Sequence, residues 1–155
     1  MSAKLVEQII AKLESPPLLQ MLLAVQDADP QRHISEETAC AIAKQMGVSR
    51  SRVYSTASFY SEISLEPRGK HIVRVCNNAP CETSDKAAIE AAICKELSIQ
   101  VGETTKDFFF TLEEVSCLGA CYMSPAVKID DRTYGNLTPQ SVVALLRSIR
   151  QEERV

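Results

Sequence analysis

The sequence predicts an α+β chain, a small N-terminal helical bundle followed by a small sheet with covering helices. Three observations carry that prediction. Apolar residues recur at helical spacing before about residue 70, short apolar runs between turn signals replace them afterwards, and four of the cysteines fall in two close pairs, each just past a predicted strand. The 155 residues, 45% apolar and 24% charged, have the balance of a folded globular protein. With four Tyr, four Phe and no Trp, the core has to be packed mainly from aliphatic side chains.

The elements follow in order. Leu5, Val6, Ile9, Ile10 and Leu13 lie on one helical stripe that stops at Ser15-Pro16-Pro17. A second helix runs from Leu18 to about Val25 and ends in Asp27-Ala28-Asp29-Pro30. Ser35 is a good N-cap, and Glu36 and Glu37 suit the positive end of the helix dipole. That helix buries Ala39, Ile42, Ala43 and Met46, and Gly47 is a natural stop. Ser49 caps a fourth helix whose Tyr54, Phe59 and Tyr60 come close together at helical spacing, either as core or as a dock for a partner. Residues 1–69 therefore form a helical region.

From Lys70 the period changes, and residues 70–155 form the second domain. His71 to Val75 is a strand ending on Cys76, and a helix from about Ser84 turns Ile89, Ala92, Ile93 and Leu97 inward. Phe108 to Leu112 with Val115 leads into Cys117 as a further strand. Ala126 to Ile129, the turn Asp130-Asp131-Arg132 and the return Thr133-Tyr134-Gly135 read as a hairpin. Thr138-Pro139 gives an N-cap with proline in the first turn, opening a last helix with Val142, Leu145, Leu146 and Ile149 on its buried stripe.

The cysteines carry the chemistry. Cys76-Asn77-Asn78-Ala79-Pro80-Cys81 is C-x4-C and Cys117-Leu118-Gly119-Ala120-Cys121 is C-x3-C. For four sulfurs to share one centre, each pair must fold back on itself; Asn77, Asn78 and Pro80 are turn formers, and Gly119 tolerates positive φ. Four thiolates hold either tetrahedral zinc, as in an interaction domain, or an iron–sulfur cluster. The redox motif C-x-x-C is absent. Cys40 and Cys94 lie inside amphipathic helices beside Ala and Ile, where a lone cysteine acts as a small hydrophobe, and His33 and His71 are expected at the surface.

Charge and hydropathy exclude other classes. The net charge of −3 advertises neither a nucleic-acid nor an anionic-membrane binder. No apolar run approaches the ~20 residues of a membrane span. The start, Met1 to Gln8, lacks the features of a signal or transit peptide, so a cytoplasmic location without membrane insertion is expected. A DNA-binding iron–sulfur sensor remains a rival reading, because Ser35 to Tyr60 has the outline of a helix-turn-helix with Arg50 and Arg52 within reach of phosphates. Residues 31–70 hold six basic and four acidic side chains, too even a balance for a basic stripe.

Three stretches resemble a known family: Val53 to Tyr60 followed by Pro67-Arg68-Gly69-Lys70-His71 and the C-x4-C; Phe110 to Val115 with Cys117 to Cys121 and Pro125; and Tyr134-Gly135-Asn136-Leu137-Thr138-Pro139. Together they are similar to the small thioredoxin-like [2Fe-2S] subunit of NADH:quinone oxidoreductase (respiratory complex I), of soluble NAD-linked hydrogenases including electron-bifurcating ones, and of NAD-dependent formate dehydrogenases. The resemblance implies a thioredoxin-like ferredoxin domain holding one [2Fe-2S] cluster, with Cys76, Cys81, Cys117 and Cys121 as its ligands. It further implies a larger partner subunit carrying FMN, the NAD(H) site and a [4Fe–4S] cluster, together with further iron–sulfur, hydrogenase or dehydrogenase subunits. This chain would then be the non-catalytic electron-transfer subunit of an oxidoreductase. Its loop Asn77-Asn78-Ala79-Pro80 departs from the Gly-Thr-Ala found at that place in many respiratory members, which turns the expectation towards a soluble hydrogenase, formate dehydrogenase or bifurcating complex, with the complex I subunit as the alternative. Lys86, Lys128 and Arg74 are the cations near the ligands, against Glu82, Asp85, Glu113 and Glu114. With all-cysteine ligation, a low reduction potential is expected.

Overall fold

In the computed structural model of the chain, which describes residues 6–9, 11 and 16–153, the polypeptide divides into two units, 1–68 and 69–155. In the first, residues 6–9 and 11 are helical. Of the first apolar stripe, Val6 is buried and Ile9 packs against the core; Leu5, Ile10 and Leu13 lie outside the described residues. Helix α1, Leu18–Ala28, runs on past Val25 and stops where Asp29 turns extended, at φ −83° and ψ 130°. A residue before proline is pushed out of the helical region, and Pro30 follows.

Capping chemistry sets the next two helices. The Ser35 hydroxyl accepts the Thr38 N–H at 3.2 Å and opens α2, Glu36–Met46, which closes on Gly47 at φ 64°. The Ser49 hydroxyl accepts the Arg52 N–H at 3.2 Å and opens α3, Arg50–Phe59. Met21, Leu22, Val25, Ile34, Ala39, Ile42, Val53 and Ala57 form the core, each larger side chain stabilising the fold by roughly 1.5–3 kcal/mol. Met46 is half-buried rather than buried. Tyr54 packs on this core, but Phe59 and Tyr60 do not join it. Phe59, two residues past Ala57 within the helix, lies off the Val53–Ala57 stripe, and Tyr60 is extended beyond the helix end. Their rings meet edge to face at 5.1 Å, with Phe59 79% and Tyr60 40% exposed. The helix–glycine–helix outline is present, and Arg50 is engaged by Glu36 at 2.9 Å.

The second unit is built on a four-stranded sheet in the order β2-β1-β3-β4, with β1 His71–Cys76, β2 Phe110–Val115, β3 Val127–Ile129 and β4 Arg132–Tyr134. β1 and β2 are parallel, pairing Val75 with Glu114 and Cys76 with Val115; β1–β3 and β3–β4 are antiparallel. A parallel pair needs a crossover, and it contains α4 (Ala79–Glu82) and α5 (Lys86–Leu97). The last helix, α6 (Pro139–Glu152), opens with a reciprocal cap between Thr138 and Ser141 and packs against α5. Ile89, Ile93, Val142 and Leu146 share one core with Val73, Val75, Leu112 and Val127, while Leu97, Leu145 and Ile149 are only partly buried at its edge.

Four local expectations change. The helix expected from Ser84 begins at Lys86, because Asp85 takes a left-handed conformation at φ 65° and the Ser84 hydroxyl donates back to the Pro80 carbonyl at 2.7 Å. β2 begins at Phe110, since Phe108 is left-handed at φ 52° and its N–H bonds the Thr105 carbonyl at 2.8 Å. β4 ends before Gly135, where Asn136 donates to the Met123 carbonyl at 2.7 Å instead of continuing the ladder. The histidines are half-buried rather than at the surface, and His71 is hydrogen-bonded while the buried Nδ1 of His33 is not. His71 Nδ1 is 2.6 Å from Asp130 and its Nε2 3.0 Å from Glu153, and His33 is 3.5 Å from Asp29. Among the described residues no helix is long and apolar enough to cross a membrane.

Candidate functional site

Both cysteine pairs sit where the parallel strands β1 and β2 end. Cys76 is the last residue of β1, and the Asn77 N–H donates to the Val115 carbonyl at 2.7 Å, extending the ladder past it. Asn78 then caps α4, its side chain accepting the Ala79 N–H at 2.8 Å, and its carbonyl accepts the Cys81 and Glu82 N–H groups at 3.0 Å each. One helical turn, with proline at its start, is thus what folds the C-x4-C back on itself. In the other loop, Gly119 at φ 73° reverses the chain so that its N–H points at the Cys117 sulfur, 3.3 Å away. Cys121 begins a 3-10 turn, Cys121–Met123. Ser124 joins the two loops: its hydroxyl lies 3.0 Å from the Cys121 carbonyl and 3.5 Å from the Cys81 sulfur.

The four sulfurs are chemically unequal. Cys76 and Cys81 are each 2% exposed, whereas Cys117 and Cys121 are exposed. Burial pushes the Cys76 thiol up, outweighing the N–H groups of Leu118 and Asn78 that favour its thiolate. Burial acts on Cys81 too, but the Ser124 hydroxyl, the Ala126 N–H and the Cys76 thiol together bring it below its ordinary value. The Gly119 N–H and the Asn78 side chain lower Cys117. Cys121 is raised by its hydrogen bond to Cys117 and by the negative charge of its neighbours. Cys76 thus interacts with Cys81, Cys117 with Cys76 and Cys121, and Cys121 with Cys81.

As they stand, no three His, Cys, Asp or Glu side chains among the described residues are placed to hold a metal ion; the thiols interact as linked pairs. Paired soft donors suit a diiron core, which takes two cysteine sulfurs on each of two irons. Backbone N–H groups aimed at the sulfurs supply the hydrogen bonds that such a core requires. Cys40 lies in α2, and Cys94, in α5, packs at the edge of the second core.

Further residues complete the site. Lys86, at the start of α5, reaches Glu114 at 2.6 Å, Asn77 at 3.2 Å, Glu90 at 3.5 Å and Glu82 at 3.7 Å. Burial alone would lower this ammonium, but the Glu114 carboxylate and its acidic neighbours raise it above the ordinary lysine value. Arg74 is hydrogen-bonded to Glu113 at 3.2 Å. Sequence reasoning missed Ser124 and Gly135; the latter packs against Met123 so closely that no side chain fits. Ser124, three residues past Cys121, was the only hint of the first, and Gly135 was read as part of the returning strand and of the Tyr134 to Pro139 motif without its packing on Met123. Tyr122, beside Cys121, is 83% exposed.

Residues 6–150 match the family described as thioredoxin-like [2Fe-2S] ferredoxin. An NADH-quinone oxidoreductase subunit from Pseudomonas aeruginosa is 42% identical over 108 residues, covering 70% of this chain and 65% of that protein. The corresponding protein of Escherichia coli K12 is 41% identical over 106 residues, covering 68% of this chain and 64% of that protein. Its counterpart in Buchnera aphidicola is 39% identical over 115 residues, covering 74% of this chain and 67% of that protein. Among solved structures, an NAD+-reducing [NiFe]-hydrogenase in the air-oxidized state aligns over 84% of this chain and 23% of its own, with a TM-score of 0.72 and 20% identity, a likeness of fold.

Proposed function

The chain belongs to the thioredoxin-like [2Fe-2S] ferredoxin family, and on that footing we propose that it is the electron-transfer subunit of an NAD(H)-linked oxidoreductase complex, with Cys76, Cys81, Cys117 and Cys121 as the ligands of one [2Fe-2S] cluster. The observation that carries this reading is the joining of the two cysteine loops at the ends of β1 and β2, with Ser124 3.5 Å from Cys81 and the Asn78 side chain on Cys117. Bound there, the cluster would supply one-electron transfer to and from the flavin of a partner subunit. The chain's own residues would do the rest. Cys76 and Cys81, buried, anchor the centre in the domain, while Cys117 and Cys121 leave one edge at the surface beside Tyr122, where electrons enter and leave.

Electrostatics set the potential. Four thiolates give the oxidised centre a net negative charge that one electron increases, and the carboxylates Glu82, Glu90 and Glu114 stand around a single lysine next to the loops. The midpoint should lie nearer the plant-type ferredoxin value of about −400 mV than the Rieske range. An EPR-monitored redox titration measures it, and a midpoint above zero would overturn this electrostatic reading.

The parent complex in this proposal is a soluble hydrogenase, formate dehydrogenase or related bifurcating assembly, supported by the loop Asn77-Asn78-Ala79-Pro80 and its departure from the respiratory pattern. The relatives at 39–42% identity favour a second reading, the small subunit of an NADH:quinone oxidoreductase. In either case residues 1–69 are the docking region and 70–155 the cluster domain, with exposed Phe59 and Tyr60 as anchors on the flavoprotein. Affinity purification from native extract with mass spectrometry separates the two parents by the subunits retained. The double variant Phe59→Ser, Tyr60→Ser should lose the flavoprotein while keeping its fold; undiminished retention would reject the dock.

A further inference from the structure

A buried lysine among three carboxylates needs an account. Lys86 is only 9% exposed as a residue, and holding an ammonium there is unfavourable unless its hydrogen bonds are met. Two hydrogen bonds, to Asn77 and Glu114, and ion pairs with Glu82 and Glu90 meet that need. Asn77, at 3.2 Å, follows Cys76; Glu82, at 3.7 Å, follows Cys81; and Glu114, at 2.6 Å, lies near the end of the strand that leads to Cys117. Glu90, at 3.5 Å, completes the shell from the next turn of α5. The left-handed Asp85 opens this helix, and Lys86 at its first position reaches the Cys76–Cys81 loop and β2.

We propose that Lys86 is a positioning residue that ties the Cys76–Cys81 loop to β2, the strand leading into Cys117, and whose positive charge favours the reduced state of the centre the four cysteines hold. This rests on the ligand assignment above. Reduction adds one electron, from the partner's flavin or in the test from dithionite, and takes up no proton while all four sulfurs stay ligated. A nearby unit of positive charge therefore stabilises the reduced form, and a nearby carboxylate opposes it. Because the lysine is largely shielded from solvent, salt screens its effect weakly.

The test compares three full-length variants by EPR-monitored titration, with iron content and melting temperature measured on the same samples. In Lys86→Met the reduced-to-oxidised ratio at a fixed ambient potential should fall about tenfold, a lowering of the midpoint by about 59 mV for one electron. Glu114→Gln, which removes a negative charge and keeps the side-chain shape, should move the midpoint upward. Lys86→Arg should restore the parental value. A merely structural strut would shift Lys86→Met and Glu114→Gln in the same direction, or move only the melting temperature, and either result overturns the proposal. If Lys86→Met cannot hold iron, the positioning role is upheld and the charge role is decided by Glu114→Gln alone, where an unmoved or lowered midpoint refutes it. A parental protein without iron and sulfide would instead overturn the ligand assignment.

Discussion

Replacing Gly135 by alanine would place a Cβ 2.3 Å from Met123 Cγ and 2.4 Å from its Cβ and Sδ. A flexible side chain can swing its far end aside, but the Met123 Cβ is bound to the backbone, so the turn itself has to move. That turn is Cys121–Met123, and its carbonyl is already fixed by the Asn136 N–H at 2.7 Å. Forcing a methyl into a fitted contact costs about 1–3 kcal/mol. For a domain of this size each kcal/mol lowers the melting temperature by about 4–8 °C, so the second unit should melt about 4–24 °C lower. Since Cys121 opens the same turn, bound iron should fall as well. Gly119→Ala is the control, because the added Cβ meets nothing within 4 Å and only the backbone, at φ +73°, is strained, at a cost of roughly 1–2 kcal/mol. Thermal denaturation by circular dichroism, with iron per chain, measures both. A Gly135→Ala protein indistinguishable from the parent in melting and iron would refute the packing argument.

Three further outcomes are expected. Leu146→Ala, which opens a cavity in the core under the last helix, should destabilise the second unit by about 2–5 kcal/mol in urea titrations; a change confined to a few tenths would contradict the assigned core. Acid should loosen the same helix. Arg147 holds the Glu96 carboxyl below its ordinary 4.5, the Thr105 hydroxyl and the Phe109 N–H with Arg150 hold Asp107 below 3.8, and Lys70 with His71 holds Glu153 below 4.5. Depressed carboxyls stabilise the fold above those ordinary values and lose that contribution as pH falls through the lowered ones. Melting temperature should therefore drop below about pH 4.5, less steeply in Glu96→Gln, Asp107→Asn; a rise on acidification would contradict the pairing. Finally, Cys81→Ser should lose the visible and EPR signature with helix content unchanged, whereas Cys40→Ser should keep both. The reverse pattern would displace the ligand assignment.

How much of this was legible in the sequence follows from the range of the interactions concerned. Ser35, Ser49 and Thr138 cap their helices as read, because a cap is settled within three or four residues of chain. The strand ending on Cys76 and the hairpin at Asp130-Asp131 were equally local. His71 was misread because its partners Asp130 and Glu153 come from distant segments. Phe59 and Tyr60 were read at helical spacing, yet Phe59 falls off the Val53–Ala57 stripe and α3 ends before Tyr60. At the site, the cysteine spacings and the turn formers of the first loop were visible, but the Ser124 hydroxyl between the loops depends on a contact across 43 residues of chain. Lys86 was visible as a nearby cation; that it is buried and bridges the first loop and β2 was not.

The central claim is four cysteine sulfurs around two irons. Anaerobic purification of the full chain, with iron, sulfide and zinc analysis beside the visible spectrum, tests it directly. The account predicts a reddish-brown protein holding iron and acid-labile sulfide in equal amounts, two of each per chain. A colourless protein with stoichiometric zinc and no sulfide would contradict it.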